Sequence, residues 1–226
     1  MLMAQHLIGF GVGGGREVDF LGSDTAVGVL SNDFTFADAP FGQPSATRRI
    51  LVLVCGSHED GNETIIGGTI GGVLATVLVE VADIGISVGA SAGALIANVP
   101  IGTSGEIVIG YDANVNNDEA LIAIYRLDGF NSYVPFDTAS DIDPQISLSI
   151  DIPGGGAVFS CASIGGTSTV TISGVSQDFD DDSFSAPRAI VAIGGHSANL
   201  PAETGRSIST ANGSGIDAAG IAVSFG

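Results

Sequence analysis

The sequence predicts an all-β protein, an antiparallel β-sandwich of immunoglobulin-like or jelly-roll-like type with two similar tandem halves. Apolar runs recur between clusters of Gly, Asn, Asp and Pro, which is the pattern of sandwich strands and their turns. The composition combines 45% hydrophobic residues with 34 glycines and only 14% charged residues, which suits short buried strands. The chain has no Lys and less Glu than Asp, so helix-favouring surface residues are scarce.

At least twelve segments fit the strand pattern, taken in chain order. Those of the first half are 18–21, 33–36, 50–55, 69–78, 94–99, 106–111 and 120–125. Those of the second half are 146–150, 157–161, 169–172, 189–193, 207–210 and 219–225. A chain of 226 residues can bury a sizeable core, either as one large sandwich or as two small domains.

The segments of the two halves correspond in order, which predicts an internal duplication with loops of different length. The matching pairs are 51–55 with 157–161, 69–73 with 171–175, 94–97 with 189–192, 105–109 with 205–209 and 120–124 with 219–223. Cys55 and Cys161 close equivalent strands, and we expect both to be buried free thiols. The alternative is a chance match between two strand-rich halves.

This reading divides the chain into four parts. They are an N-terminal segment with a lead-in strand (1–32), a first sandwich repeat (33–134), a linker (135–145) and a second sandwich repeat (146–226). The linker is assigned to a polar stretch that lacks apolar periodicity.

The charge balance argues against nucleic acid as a partner. The formal net charge is −19 with only six Arg, which repels phosphate backbones. Residues 84–105 carry no charge, but Gly, Ser, Asn98 and Pro100 interrupt the run, so we expect strands and turns there and no membrane span. The N-terminus lacks a basic region before its short apolar stretch, so we expect no secretory signal and synthesis in the cytoplasm.

Two motifs suggest chemistry that their surroundings do not support. Gly89–Gly93 fits the G-x-S-x-G elbow that exposes a serine nucleophile, here Ser91, and His196 and several Asp follow in hydrolase order. Only six residues separate the motif from Pro100, too few for the required helix, so a turn of small residues is the preferred interpretation. Gly9–Gly14 fits G-x-G-x-x-G, but it leads into the strand-like 16–20 and not into a helix.

Metal binding is considered at two acidic segments. Asp112–Asn116 resembles the opening of a calcium loop, but Asn117 and Ala123 occupy positions where an EF-hand needs Gly and an acidic residue. Asp178–Asp182 is a second acidic cluster, interpreted as a solvated loop. The alternative is that one of these two segments binds Ca²⁺. No ligand spacing relates His6, His58 and His196, so zinc is not expected. We therefore expect no catalytic residue, no cofactor and no metal.

Several segments resemble uncharacterised virion structural proteins of tailed phages from marine and alphaproteobacterial hosts. In the first half these are 70–76, 98–109 and 121–129. In the second half, 148–158 is similar to the later part of those proteins. The resemblance covers about residues 33–226 and rests on pattern. It implies a particle component made in the host cytoplasm and displayed on the capsid or tail, and it assigns no functional residue.

Three functions follow as expectations. The first is a non-enzymatic virion structural protein, a capsid-decoration or head-fibre module or part of the adsorption apparatus, with other virion proteins and its own copies as partners. Arg48, Arg49 or Arg126 would meet acidic partners, unless they are merely solvated. The second is a glycan-binding or cell-adhesion module, with Tyr111, Tyr125 and Tyr133 as candidates. The third is a serine hydrolase that uses Ser91.

Overall fold

The computed structural model describes residues 16–27, 32–58, 63–83, 89–113, 118–130, 132, 134–166, 169–182, 190–211 and 217–226. These residues form strands and no helix, and so contain no apolar helix long enough to cross a membrane. The strands are β1 Glu17–Val27, β2 Asp33–Pro40, β3 Arg49–His58, β4 Ile65–Ile70, β5 Val73–Leu74, β6 Thr76–Asp83, β7 Gly89–Asn98, β8 Ser104–Tyr111, β9 Glu119–Asp128, β10 Asp137–Asp141, β11 Ser147–Ile152, β12 Gly156–Gly165, β13 Thr171–Ser173, β14 Ser176–Asp181, β15 Ile190–Leu200, β16 Glu203–Ala211 and β17 Ala218–Phe225.

The strands form four antiparallel sheets. The first inner sheet has the order β1-β9-β3-β7-β6, and the first outer sheet has the order β2-β8-β4-β5. The second inner sheet has the order β10-β17-β12-β15-β14, and the second outer sheet has the order β11-β16-β13. The predicted all-β, antiparallel, sandwich-type fold is therefore confirmed.

Three hydrophobic cores join these sheets into four layers. One core lies between the first outer and first inner sheets, and another between the second inner and second outer sheets. The largest lies between the two inner sheets and takes residues from both halves of the chain. The central strands of the inner sheets are thus covered on both faces, and the outer sheets on one.

The sequence pattern of the central strands reflects their layer. In β3, Ile50, Val52 and Val54 face the first outer sheet. The alternate residues, such as Leu51 and Leu53, face the second inner sheet. A strand that is covered on both sides buries the side chains of both its faces, which explains the nearly continuous apolar runs of the central inner strands. Outer strands such as β2 instead alternate between buried and exposed residues.

The two halves have corresponding strand orders. Replacing β1, β9, β3, β7 and β6 by β10, β17, β12, β15 and β14 converts one inner sheet into the other. The two buried free thiols lie on the corresponding strands β3 and β12 and meet between the inner sheets. Cys55 donates to the Ala162 carbonyl and Cys161 to the Val54 carbonyl, each at 3.5 Å. Duplication of the sequence and the proposed domain boundaries stay predictions.

The structure differs from the sequence interpretation at three places. Residues 69–78 are not one strand, because Gly71 and Gly72 form a turn with φ of 59° and 75°. The predicted linker contains β10, and the acidic 178–182 segment, interpreted as a loop, lies mostly in β14. Both missed strands are edges of the second inner sheet, where charged residues are tolerated because one side of the strand is unpaired.

Candidate functional site

Ser91 lies within β7 and not on a turn, so the interpretation of Gly89–Gly93 as a small-residue turn is wrong. The segment pairs with β3 on one side and with β6 on the other. Small residues suit this position because the strand is covered on both faces. Ala90 and Ala92 face the second inner sheet, so the alternating side chain of Ser91 faces the first outer sheet.

Ser91 belongs to a group of polar side chains at one end of the core between the first inner and first outer sheets. We call this group the buried polar cluster; its members are His58, Glu63, Ser91, Tyr111 and Asp118. None of them is more than 3% exposed. Polar groups are buried at this depth only when partners compensate for the lost water.

Strand pairing assembles the cluster from distant parts of the sequence. His58 ends β3, and the pairing of Ser57 with Glu119 brings Asp118 beside it. Pairing of Ile65 with Tyr111 carries β4 to the end of β8, and Glu63 lies just before β4. The cluster is thus fixed by the sheets themselves.

A chain of hydrogen bonds links three members of the cluster. His58 Nε2 lies 2.7 Å from Ser91 Oγ, which lies 3.3 Å from the Tyr111 hydroxyl oxygen. Burial raises the pKa of the Tyr111 phenol far above its usual value, so the hydroxyl keeps its proton and remains a donor. These contacts fix the orientation of the His58 ring.

The other ring nitrogen faces the two carboxylates. His58 Nδ1 lies 3.8 Å from Glu63 Oε2 and 3.7 Å from Asp118 Oδ2. Both separations exceed a hydrogen bond, and Nδ1 has no hydrogen-bond partner in the described part of the chain. A buried imidazole nitrogen thus points between two carboxylates, within ion-pair distance of both and without a hydrogen bond to either.

A serine, a histidine and a carboxylate in this order form the constellation of a serine hydrolase. The histidine is His58, however, and not the His196 indicated by the motif order. Ser91 has no exposed surface, so it reaches a substrate only if the cluster opens. Its Oγ would lie 2.4 Å from a Cβ added to Gly56, and both His58 and Tyr111 approach that point within 3 Å. The side chains therefore close tightly around the Gly56 backbone.

Asp112 fixes the segment next to the buried polar cluster by binding Thr64. Its carboxylate accepts hydrogen bonds from the Thr64 backbone N–H at 2.9 Å and from the Thr64 hydroxyl at 2.8 Å. Both bonds lower the pKa of Asp112. Since Thr64 follows Glu63 directly, this clamp positions Glu63. The remainder of the calcium-loop candidate, 114–117, lies outside the described residues.

His196 lies in a second polar group, between the inner sheets. Asp178 Oδ2 accepts a hydrogen bond from the Tyr125 hydroxyl at 2.9 Å and lies 2.6 Å from His196 Nδ1. The His196 ring stacks on Phe159, with ring centroids 5.8 Å apart. The Asp178 carboxylate, from the second acidic segment, is thus bound by side chains of the core. This group has one carboxylate, whereas the buried polar cluster has two.

The remaining candidates are placed as follows. Tyr111 and Tyr125 are buried and cannot stack against a sugar at the surface. Arg48 is buried and bonds only backbone carbonyls in the described structure. Arg126 pairs with Asp19 and Asp128, each at 2.8 Å. Arg48 and Arg126 are therefore occupied within the molecule. Outside the described residues lie Tyr133, His6 and the Gly9–Gly14 motif.

An apolar groove opens beside the first outer sheet. It has a volume of about 520 Å³ and is lined by Phe41, Val73, Val99, Ile101 and the turn glycines, with Glu106 as the one charged residue among the described lining. Ile101 is 78% exposed and Val73 39% exposed. The groove thus combines a buried apolar floor with two exposed apolar side chains.

Glu63 and Asp118 were not among the residues that the sequence indicated, and His58 showed no ligand spacing that would have indicated a metal site. A usable signal was present, because His58 and Asp118 are polar residues at the ends of continuous apolar strands. Such positions are buried when the strand is covered on both faces.

Comparison of the chain with protein-family models, with curated proteins and with solved structures found no match.

Proposed function

We propose that the chain is a non-enzymatic structural protein of a tailed-phage particle, displayed on the outside of the capsid or tail as a decoration, head-fibre or adsorption module. The apolar groove is the observation that carries this proposal. It offers a preformed surface for another protein, whereas the chemically interesting side chains are buried. The pattern resemblance to phage virion proteins supplies the class of particle.

Hydrogen bonds from one arginine side chain hold the wall of the groove in place. Arg48 donates hydrogen bonds to the carbonyls of Phe41 and Val99 at 3.1 and 2.6 Å, and of Ile101 and Gly102 at 2.8 and 2.9 Å. One guanidinium thus ties together both segments of the groove wall. A rigid binding surface loses little conformational entropy when a partner docks.

The occupant that fits is an apolar segment of another virion protein, carrying a basic residue that meets Glu106. Each chain has a formal charge of −19, so two copies of this chain repel each other and favour a partner that is less acidic. The same charge keeps many displayed copies from aggregating on a particle. Self-association of the chain stays a prediction.

The burial of the potentially reactive side chains supports a non-enzymatic role. The nucleophile candidate Ser91 has no exposed surface, and its Oγ is held by His58 and Tyr111. A hydrolase needs its nucleophile and an oxyanion site open to the substrate. We infer that these groups serve the stability of the fold.

Cosedimentation with phage capsids or tails assembled without this chain, followed by electron microscopy, tests the proposal. We expect stoichiometric binding to one of these structures. Ile101→Asp should abolish binding, because it places a charge in the apolar groove. Val134→Asp is the matched control, because Val134 is 75% exposed and lies outside the groove lining.

Three results would overturn this reading. Equal binding by both aspartate variants would remove the groove from the mechanism. A chain that ignores particles and binds cells or glycans would be an adhesive module. Labelling by a fluorophosphonate probe that disappears in Ser91→Ala would make the protein a serine hydrolase.

A further inference from the structure

The buried polar cluster has the composition of a metal site. One ligand atom from each of His58, Glu63 and Asp118 lies within 4.8 Å of the others. All three side chains are at most 3% exposed. An imidazole and two carboxylates brought together in a buried core are the ligand types that divalent transition metals select.

The distances within the cluster suit a shared cation better than hydrogen bonds. His58 Nδ1 is 3.8 and 3.7 Å from the two carboxylate oxygens. A metal such as Zn²⁺ binds nitrogen and oxygen at about 2.0–2.2 Å. Two ligands on one such ion lie between about 3 and 4.4 Å apart, so the observed separations fall in that interval. A hydrogen bond would instead need a separation near 2.9 Å.

The orientation of the histidine is a second and independent observation. Nδ1 is buried and has no hydrogen-bond partner among the described residues, while Nε2 is 2.7 Å from Ser91 Oγ. Metal-binding histidines use one ring nitrogen for the ion and donate the other N–H to a fixed acceptor. The geometry of His58 fits this pattern in the tautomer that carries the proton on Nε2, which then donates to Ser91 Oγ, itself in contact with the Tyr111 hydroxyl.

We propose that His58 Nδ1, Glu63 and Asp118 bind one divalent transition-metal ion, for which Zn²⁺ is the probe. Ser91 is a positioning residue that holds the imidazole. The ligands come from the end of β3, the segment before β4 and the segment before β9, so the ion joins both sheets of the first half. This role is structural and is independent of the proposed association with a particle. It departs from the expectation that the chain binds no metal.

The ligand set favours a transition metal over calcium. Calcium takes six to eight oxygen ligands in an open arrangement, whereas this site offers a nitrogen and two carboxylates in a closed core. The two carboxylates carry the charge that a divalent cation balances, and a carboxylate can supply a second oxygen. We therefore expect Ca²⁺ to bind at least 100-fold more weakly than Zn²⁺.

Titration of the chelator-treated full chain with Zn²⁺, measured by calorimetry, tests the proposal. We expect one ion per chain and a higher thermal unfolding midpoint in its presence. His58→Gln, Glu63→Gln and Asp118→Asn should each lower the affinity at least 100-fold. Asp178→Asn, which alters the other histidine and carboxylate pair, is the matched control and should change the affinity less than threefold.

Cobalt gives a readout that needs no variant. Co²⁺ in the wild-type chain should show the visible absorption of a four- or five-coordinate site with a nitrogen ligand, and Zn²⁺ should displace it. Ser91→Ala should weaken Zn²⁺ binding about 10–100-fold without changing the stoichiometry.

Two outcomes of the Zn²⁺ titrations refute the site, and the cobalt spectrum supplies a third. One is the absence of a stoichiometric Zn²⁺ ion in the folded wild-type chain, with only weak, salt-sensitive binding at several surface acids. The other is stoichiometric binding that survives His58→Gln but is lost in Asp178→Asn. If a ligand variant fails to fold, the wild-type cobalt spectrum decides between octahedral oxygen ligands, which refute the proposal, and the expected spectrum.

Discussion

Replacing Arg48 by Met tests how the loops around the groove are held. The guanidinium is fully buried and donates five hydrogen bonds to backbone carbonyls of two loops, those of residues 41, 42, 99, 101 and 102. Methionine keeps most of the apolar stem, so Arg48→Met removes the donors while opening little space. The change therefore isolates the hydrogen bonds from the packing.

The expected loss of stability depends on how deeply each of the five hydrogen bonds is buried. The bonds to Val99 and Phe41 are buried, while those to Gly42, Ile101 and Gly102 are partly buried. Loss of a buried hydrogen bond from a charged donor lowers stability by about 1.5 kcal/mol or more. Loss of a partly buried one lowers stability by only about 0.5 kcal/mol, because water can then bind the carbonyl. Two buried bonds and three partly buried bonds together give an expected loss of about 4.5 kcal/mol in the free energy of unfolding of Arg48→Met.

Urea denaturation of the wild-type, Arg48→Met and Arg48→Lys chains measures this loss. Lysine keeps the charge but has only three donors, so it should fall between the other two. Hydrogen exchange should become faster at residues 99–102 in the methionine variant. A loss below about 1 kcal/mol with unchanged exchange would refute the reasoning, because it would show that the carbonyls do not depend on this guanidinium.

Three further predictions concern the core and the acid response. Gly56→Ala should cost about 2–3 kcal/mol, because its Cβ would meet polar atoms of the buried polar cluster at 2.4–2.9 Å. Cys55 and Cys161 should not react with a thiol reagent in the folded chain, since both are buried and burial raises the pKa of Cys161. The bonds from Thr64 lower the folded-state pKa of Asp112. Its stabilising contribution is therefore present above about pH 4, the unfolded value, and is lost as the pH falls through the folded pKa.

Each of these predictions has a control. Gly154→Ala should change stability by less than about 0.5 kcal/mol, because its Cβ would meet no atom closer than 3.8 Å. Both thiols should react at once in guanidinium, and rapid labelling in native buffer would contradict their burial. Urea denaturation of Asp112→Asn between pH 3 and 6 should show a shallower acid loss than the wild-type chain, and parallel curves would contradict the assigned bonds.

The sequence was sufficient for the fold class and for the location of most strands. Continuous apolar runs, as in 50–55 and 120–125, mark strands that are covered on both faces, and alternating runs such as 33–36 mark outer strands. Strands β10 and β14 were missed because they are polar edge strands, whose neighbours decide their structure more than their own residues do. The turn at Gly71–Gly72 was missed because apolar residues surround it.

The candidate sites were predictable only in part. G-x-S-x-G drew attention to Ser91 for a reason that the fold does not support, since the motif lies inside a covered strand. The association of His58 with Asp118 depends on the register between β3 and β9, in which residues 57 and 119 are paired. No spacing rule relates positions that far apart along the chain.

The sequence by itself therefore determined the all-β class, the excess of acidic charge and the location of most apolar strands. These properties are local, because they depend on residue type and on the period of side chains along a strand. The tertiary structure decided which polar residues meet. Contacts such as that of Arg48 with two loops, or of His58 with two carboxylates, arise only when sheet register and layer stacking bring distant segments together.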